Sequence, residues 1–529
     1  MAAQLTRARP RAAAIGAVVG LVALVALAVN IFPAQAITPP KVDPALAPPD
    51  GPPGPEQAMR RANSCSTPVT VKNPDAGQLS PGFALLNIST AWRYSTGNGV
   101  LVAVIDTGVS PNPRLPVVPG GDYITGDDGL SDCDAHGTIV GSIIAAAPQG
   151  PNGPVSMPRP MPATPAFPPP AGPPAVTGAA PPPVEVGPAP APPPDGGTSG
   201  DEPAVPPPPR GSPDGVVGVA PHARIMSIRQ SSRAFEPINP APTDPNSDEK
   251  VKAGTLNTLA RAVVHAANMG AKVINISVTA CLPSVASADQ RTLGAALWYA
   301  ATVKDAVIVA AAGNDGEAGC DNNPIDDPLD PSDPRDWHQV RVVSSPSWFS
   351  DYVLSVGAVD ATGAPLDKSM SGPWVSVAAP GTHILGLSPQ GGGPVNAYPP
   401  SRPGEKNMPF WGTSFSAAYV SGVAALVRAR FPDLSAHQAI NRIVQSAHNP
   451  AGGVDDHVGY GMVDPVAALT FDIPPGDRMP PGAQTRVITP APPPLPPDHR
   501  ARDIAIGVVG AVATGVVVLA IAARLRRAR

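Results

Sequence analysis

Short apolar runs rich in β-branched residues recur through the middle of the chain. Continuous runs of this length, without polar alternation, are typical of strands buried on both faces of a parallel sheet. The strands predicted in this way are residues 100–105, 216–219, 225–228, 273–277, 307–311 and 353–356.

Longer segments between these runs have apolar residues at helical spacing. The predicted helices are residues 85–92, 137–147, 256–268, 293–303, 414–430 and 435–446. Strands that alternate with helices imply right-handed crossover connections. We therefore predict an α/β fold, a parallel sheet flanked by helices, within a domain of residues 83–471.

The N-terminal end of the chain has the pattern of a signal peptide. Three arginines precede an apolar run over residues 12–31, and small residues follow up to Ala36. We expect export with cleavage after about Ala36, which would remove residues 1–36. An uncleaved anchor is the alternative, because the apolar run is long for a signal peptide.

The C-terminal end contains a second apolar run, at residues 503–523, which carries no charge after Asp503. About 20 apolar residues suffice for a helix to cross the hydrocarbon core of a membrane. The basic tail at residues 524–529 should stay in the cytoplasm. We expect a single-pass protein of the cell membrane, with its body on the extracytoplasmic (periplasmic) side and its C-terminal helix in contact with lipid.

Two stretches are dominated by proline, of which the chain has 76. Residues 148–213 lack any strand or helix periodicity and are predicted to be a disordered insertion within the domain. The insertion could be a partner-binding arm, a processing site or a tolerated spacer. Residues 472–502 are predicted to be a semi-rigid stalk that leads to the membrane helix.

Charge and cysteine content narrow the class of protein. The net charge is −5 with no basic face, which excludes a typical nucleic-acid-binding protein. Four cysteines in an exported chain indicate two disulfides, and three pairings are possible. We favour Cys65–Cys133, which would join the N-terminal segment to the domain, and Cys281–Cys320, which would join two loops after strands. A metal site is the alternative, but no Cys-x-x-Cys spacing supports it.

Four short motifs carry the candidate chemistry. In chain order they are Asp106-Thr107-Gly108, His136-Gly137-Thr138, Gly313-Asn314 and Gly412-Thr413-Ser414. Each alone could be an ordinary turn or helix start. Together, the order Asp, His, Ser is that of the subtilisin-type catalytic triad.

The chemistry of a serine protease assigns a role to each residue. Ser414 would attack a peptide carbonyl, and His136 would accept its proton, since imidazole titrates near neutral pH. Asp106 would orient the imidazole, while the Asn314 amide and the Ser414 N–H would bind the oxyanion. This chemistry requires no cofactor and no metal. The acidic segment at residues 326–330 is interpreted as a solvated loop.

The chain resembles the subtilases, and within them the mycosins, the membrane-anchored proteases of mycobacterial type VII secretion. Beyond the four motifs, the stretches that carry the resemblance are residues 121–123, 129–138, 225–235, 273–277 and 459–464. The resemblance covers roughly residues 76–469. The Pro-rich insertion suggests the paralogue of the fifth secretion system.

The resemblance implies a site and partners. The triad would be Asp106, His136 and Ser414, with Asn314 as an oxyanion donor. Residues 37–82 would wrap the catalytic domain and stay attached to it. The protein would associate with membrane subunits of a secretion complex and cleave proteins that the system secretes.

Two of the motifs depart from the subtilase pattern. Ile139 stands where a second histidine usually follows the catalytic one, and Ala418-Tyr419 replaces the usual Pro-His after the serine. No triad member is lost. The S1 pocket is expected between residues 276–280 and 311–313.

Two functions fit these features. The first is an active endopeptidase that acts on exported proteins. The second is a structural cap or stabilising subunit of the secretion complex whose proteolysis is dispensable.

Overall fold

The computed structural model describes the central domain and short pieces of the C-terminal region. The described residues are 37–150, 153–154, 203–206, 212–239, 253–284, 289–317, 319–324, 337–400, 402, 404–481, 514–515, 518–519 and 521–524. The expected signal peptide, most of the Pro-rich insertion, most of the stalk and much of residues 503–523 lie outside these ranges. Within the described ranges, no helix combines the length and apolar character needed to span a bilayer.

By its internal contacts the chain divides into residues 1–484 and residues 485–529. The fold described below is that of the first unit. Its strands, in chain order, are β1 (Met59–Arg61), β2 (Leu101–Asp106), β3 (Val117–Asp122), β4 (Gln149–Gly150), β5 (Gly153–Pro154), β6 (Arg224–Arg229), β7 (Phe235–Pro237), β8 (Val273–Ile276), β9 (Ala280–Pro283), β10 (Val307–Ala311), β11 (Val342–Ser345), β12 (Val353–Val359), β13 (Val375–Pro380), β14 (Gly386–Leu387), β15 (Pro394–Val395), β16 (Ala397–Tyr398) and β17 (Met408–Pro409).

Seven of these strands form one sheet in the order β13-β12-β10-β8-β2-β6-β3. Every neighbouring pair in this sheet is parallel. The remaining strands make short antiparallel pairs, such as β1 with β7 and β9 with β11. The predicted parallel α/β fold is therefore confirmed.

The helices cover both faces of the sheet. In chain order they are α1 (Pro81–Leu85), α2 (Ile88–Ala91), α3 (His136–Ala145), α4 (Leu256–Asn268), α5 (Arg291–Trp298), α6 (Thr413–Arg430), α7 (Ala436–Gln445) and α8 (Pro465–Thr470). Strand β2 contacts both layers, because alternate side chains point to opposite faces. Val102 and Val104 pack in the core with α3 and α6, whereas Ala103 and Ile105 pack in the core with α4 and α5.

One predicted strand is wrong. Residues 216–219 are buried but form a loop outside the sheet. Their backbone N–H groups donate to the end of α3, from Gly218 to the Ala146 carbonyl and from Val219 to the Ile143 carbonyl, each at 2.8 Å. The apolar run is therefore a cap for a helix whose last carbonyls would otherwise lack donors.

Two strands of the sheet were not predicted. Strand β3 contains Pro119, Gly120 and Gly121, which obscure a strand pattern but are tolerated because β3 is an edge strand. Strand β13 occupies the other edge. Its pairing with β12 shifts register near Val356, so its position is set by the neighbouring strand as much as by its own sequence.

Residues 37–71, here called the strap, run along the outside of the domain. Asp50 accepts hydrogen bonds from His265 at 2.9 Å and from Asn268 at 3.0 Å, both on α4. Glu56 accepts a hydrogen bond from the hydroxyl of Thr255, the residue that caps α4, at 2.6 Å. Polar contacts at the start of the strap therefore hold it against one helix.

Candidate active site

The carboxyl ends of the central strands bring the predicted residues together. Asp106 is the last residue of β2 and is fully buried, while His136 is the first residue of α3 with 23% of its side chain exposed. The Nδ1 atom of His136 lies 2.7 Å from Oδ1 of Asp106. A buried carboxylate thus holds one ring nitrogen, and the ring keeps some access to solvent.

Asp132, which sequence reasoning missed, builds the turn that presents His136. This buried side chain accepts hydrogen bonds from the hydroxyl of Thr107 at 2.9 Å and from the N–H groups of Ala135 and Thr138, each at 2.8 Å. The Ala135 and Thr138 donors lie next to or inside the first turn of α3, where N–H groups need acceptors. An aspartate shortly before a helix start was the available sequence signal.

Gly137 allows the close packing of this turn against β2. A Cβ atom at this position would lie 2.1 Å from the Gly108 carbonyl oxygen, which no side chain could accommodate. The Gly137 N–H instead donates to the Thr107 hydroxyl at 2.9 Å. The two motifs found in the sequence are thus in direct contact.

Ser414 is the second residue of α6 and is buried. Its hydroxyl donates to the carbonyl oxygen of Ser277, just past β8, at 2.9 Å rather than to the ring of His136. The ring centroid of the next residue, Phe415, lies 5.3 Å from that of His136. The start of the serine-bearing helix therefore lies beside the ring of His136.

A second polar network ties α6 to β8. The Ser277 hydroxyl donates to the Ser414 carbonyl at 3.0 Å and accepts from the Asn275 amide at 2.8 Å. The carbonyl oxygen of the Asn275 side chain in turn accepts from the Ser421 hydroxyl at 2.9 Å. Because these groups are buried and partnered, they fix the position of the serine-bearing helix relative to the sheet.

Asn314 follows β10 and contacts the start of α6. Its Oδ1 atom accepts from the N–H of Thr413 at 2.9 Å and from the hydroxyl of the same residue at 3.0 Å. This leaves the amide nitrogen as a donor on the other side, where it lies 3.2 Å from Oε1 of Glu317. Gly412 adopts a φ of 137°, and a Cβ there would come within 3.2 Å of the Asn314 amide nitrogen.

The electrostatic setting favours a protonated His136. Burial lowers its pKa, but the charge and hydrogen bond of Asp106 outweigh burial and raise the pKa above 6.5. Burial also raises the pKa of Asp132 to about 7, despite the hydrogen bonds from Thr138. Asp106 therefore stabilises the charged form of His136, while burial favours the neutral form of Asp132.

The departures from the usual subtilase motifs lie in the core. Ile139, Ala418 and Tyr419 are buried in the layer that contains α3 and α6. The Tyr419 hydroxyl lies 2.8 Å from the hydroxyl of Ser80, which satisfies its polar group. These side chains therefore take packing roles and leave the Asp106–His136 contact intact.

Both favoured disulfides are present. Cys65 is bonded to Cys133, between Asp132 and the His136 turn, with an S–S distance of 2.10 Å. Cys281 is bonded to Cys320, with an S–S distance of 1.99 Å. The described part of the chain contains no cluster of three metal-ligating side chains.

The expected S1 walls come from neighbouring strands. Residues 276–280 start at the last residue of β8 and residues 311–313 at the last residue of β10, and the two strands pair in register from Val273 with Val307 onward. The two segments therefore leave the sheet side by side.

Residues 97–461 match the subtilase family. The chain is also 75% identical to Mycosin-2 of Mycobacterium tuberculosis, with 100% of both chains covered. The chain belongs to the subtilase family and, within it, to the mycosins. This mycosin is a serine endopeptidase.

Mycosin-5 of M. tuberculosis is 48% identical, with 94% of each chain covered. The identities therefore favour Mycosin-2 over the fifth-system relative that the insertion suggested.

Solved structures of mycosins share the fold. MycP1 from Mycobacterium smegmatis is 42% identical with a TM-score of 0.68, over 84% of this chain and 98% of that one. A chain of the intact ESX-5 inner membrane complex is 46% identical with a TM-score of 0.68, over 92% of this chain and 100% of that one.

Proposed function

We propose that this mycosin hydrolyses peptide bonds with Asp106, His136 and Ser414 as its catalytic triad. His136 takes the proton from the Ser414 hydroxyl as oxygen attacks the substrate carbonyl, and returns it to the leaving amine. Asp106 holds the ring and stabilises its protonated form. The single observation that carries the proposal is the 2.7 Å contact between Asp106 and His136 beside the start of the serine-bearing helix.

The tetrahedral intermediate needs donors for its oxyanion. We assign this role to the Asn314 amide and to the N–H of Ser414. The hydrogen bonds from Thr413 to Asn314 Oδ1 support the assignment, because they turn the amide nitrogen outward as a donor. The N-terminus of α6 adds a partial positive charge at the same place.

Labelling with a serine-reactive fluorophosphonate probe tests the triad. Wild type should be labelled, whereas Ser414→Ala and His136→Ala should not. Ser416→Ala is a matched control, since it makes the same change two residues further along α6 in the core. Absence of labelling in folded wild type, or equal labelling of Ser414→Ala, would contradict the proposal.

The cellular setting is also part of the proposal. The sequence supports an exported protein, cleaved after about Ala36, with a stalk at residues 472–502 and one membrane helix at residues 503–523. A catalytic domain at residues 83–471 would then lie on the periplasmic side, with residues 37–82 attached. Relatives solved within the ESX-5 inner membrane complex and its periplasmic assembly support association with membrane subunits of a secretion complex.

A structural role in such a complex is the second candidate. The observation that favours it is that those relatives are integral parts of the solved assembly. Secretion by a deletion strain complemented with wild type or with Ser414→Ala separates the two. Restored secretion with both would favour a structural subunit, and restoration with wild type alone would show that proteolysis is required.

A further inference from the structure

Glu317 is a charged side chain beside the active site to which the mechanism gives no role. Its Oε1 atom lies 3.2 Å from the Asn314 amide nitrogen, the atom assigned above to oxyanion binding. The side chain of Glu317 is 43% exposed. A carboxylate thus accepts the hydrogen bond that the substrate oxygen would need.

The backbone around Glu317 is held in place. Its N–H donates to the Asn314 carbonyl at 3.2 Å, and its own carbonyl accepts from the N–H of Cys320 at 2.8 Å. Cys320 is in turn bonded to Cys281. Movement of the carboxylate away from Asn314 therefore requires rotation of the side chain and leaves the loop in place.

Arg233 approaches Glu317 from the histidine side of the site. Its Nη2 atom lies 4.0 Å from the Glu317 Oε1 atom. The N–H of Arg233 donates to Asp134, two residues before His136, at 2.8 Å, and its carbonyl accepts from the Asn63 amide at 2.9 Å. The ion pair therefore links the His136 turn to the Asn314 loop.

The ion pair between Arg233 and Glu317 can break and form again at little cost. The Arg233 side chain is 88% exposed, and exposed ion pairs contribute little stability. An entering substrate can therefore break the contact without disrupting the fold. The carboxylate also has the same charge as the oxyanion that forms during attack, so its presence near Asn314 opposes the reaction.

We propose that Glu317 is an internal competitor for the oxyanion donor, held near Asn314 with the help of Arg233 and displaced when a substrate carbonyl enters. The inference rests on the proposed role of Asn314. It predicts an enzyme whose resting state is restrained by its own side chain. Removal of that side chain should therefore make the serine react faster.

The test measures the rate of fluorophosphonate labelling of the full-length protein, because the phosphoryl oxygen of the probe occupies the oxyanion position. Glu317→Gln and Glu317→Ala should each be labelled about tenfold faster than wild type. Glu236→Gln is a matched control: Glu236 is also paired with an arginine, Arg60, on the surface, and its rate should equal that of wild type.

A second reagent separates competition for Asn314 from a simple opening of the cleft. Diethylpyrocarbonate modifies His136 without using the oxyanion donors, so its rate should stay within about twofold of wild type. Arg233→Ala should change the labelling rate more in the wild-type background than together with Glu317→Gln, where only the effect of its charge on His136 remains. Equal acceleration of both reagents would overturn the proposal in favour of altered access.

Three further results of the labelling experiment would contradict the proposed role of Glu317. Unchanged labelling of both Glu317 variants, when wild type is labelled, would overturn this inference alone. Slower labelling of Glu317→Ala would overturn it too, because Glu317 would then position Asn314 for catalysis. If folded wild type and both variants all fail to label, the proposed triad fails as well.

Discussion

The strap and the edge of the sheet that carries the candidate active site are held by different forces. No residue from 37 to 67 is buried, and the strap contacts α4 through exposed polar groups. At the other extreme, 16 of the 18 residues of α6 are buried. The difference teaches that core packing sets the geometry of the site, whereas the strap up to residue 67 is held by polar contacts, by partly buried side chains such as Val42 and by the disulfide at Cys65.

We expect the two regions to respond differently to substitution. Changes at the catalytic edge should alter the reaction rate with little effect on stability. Changes in the strap should alter stability with little effect on the rate.

Asp106→Asn should have the largest effect. An amide in place of the carboxylate would no longer hold the required imidazole tautomer, and labelling should slow by about 10⁴-fold. In wild type the labelling rate should rise as the pH passes through the pKa of His136, because the protonated ring cannot accept the serine proton. This pKa lies above 6.5 because Asp106 stabilises the protonated ring. The pH midpoint should fall in the variant. An unchanged midpoint would contradict the assigned contact.

Removal of the Cys65–Cys133 disulfide should have the largest effect on stability. The bond closes a sequence separation of 68 residues, and its loss through Cys65→Ser with Cys133→Ser should lower the free energy of unfolding by about 4 kcal/mol. Denaturant unfolding measures this change. The labelling rate of folded protein should stay within about threefold, because Asp132 still holds the His136 turn. A large loss of labelling would show that the disulfide itself positions His136.

Asn314→Ala should slow labelling by about 10²–10³-fold, because one oxyanion donor is lost. Asn322→Ala serves as a control from the same loop, as its amide donates to the Asp367 carbonyl away from the serine. Equal effects of the two variants would point to the loop structure and away from oxyanion binding.

Asp50→Asn should have the smallest effect. Burial raises the Asp50 pKa, but hydrogen bonds from His265 and Asn268 outweigh it and lower the pKa below 3.8. Because the pKa of Asp50 is lower in the folded than in the unfolded protein, its carboxylate stabilises the strap contact fully at pH values above the unfolded-state pKa. This stability is lost as the pH falls through the folded-state pKa. Proteolysis of the strap should therefore accelerate about threefold in the variant, and in wild type at acidic pH.

Asp43→Asn provides the control for this experiment. Asp43 caps its own short turn through the Ala45 N–H and lies on the strap as well. Similar acceleration by both variants would show that the contact with α4 does not hold the strap.

Much of the core could be predicted because its signals are local. Strand β10 was predicted at residues 307–311 and α4 at residues 256–268, with the bounds that the structure has. The strand is a continuous apolar run, and the helix is a long segment with apolar residues at helical spacing. The loop at residues 216–219 has the same local pattern, yet it caps α3, and only the packing of distant segments decides between the two outcomes.

The sequence by itself determined the apolar framework and the identity and order of Asp106, His136, Asn314 and Ser414, because residue type and short-range spacing encode them. Only the tertiary structure decided that Asp132 holds the histidine turn and that Ser277 accepts the serine hydroxyl. It alone brought Arg233 to Glu317. These contacts join residues on different strands and loops, and a sequence read along the chain contains no measure of distance between them.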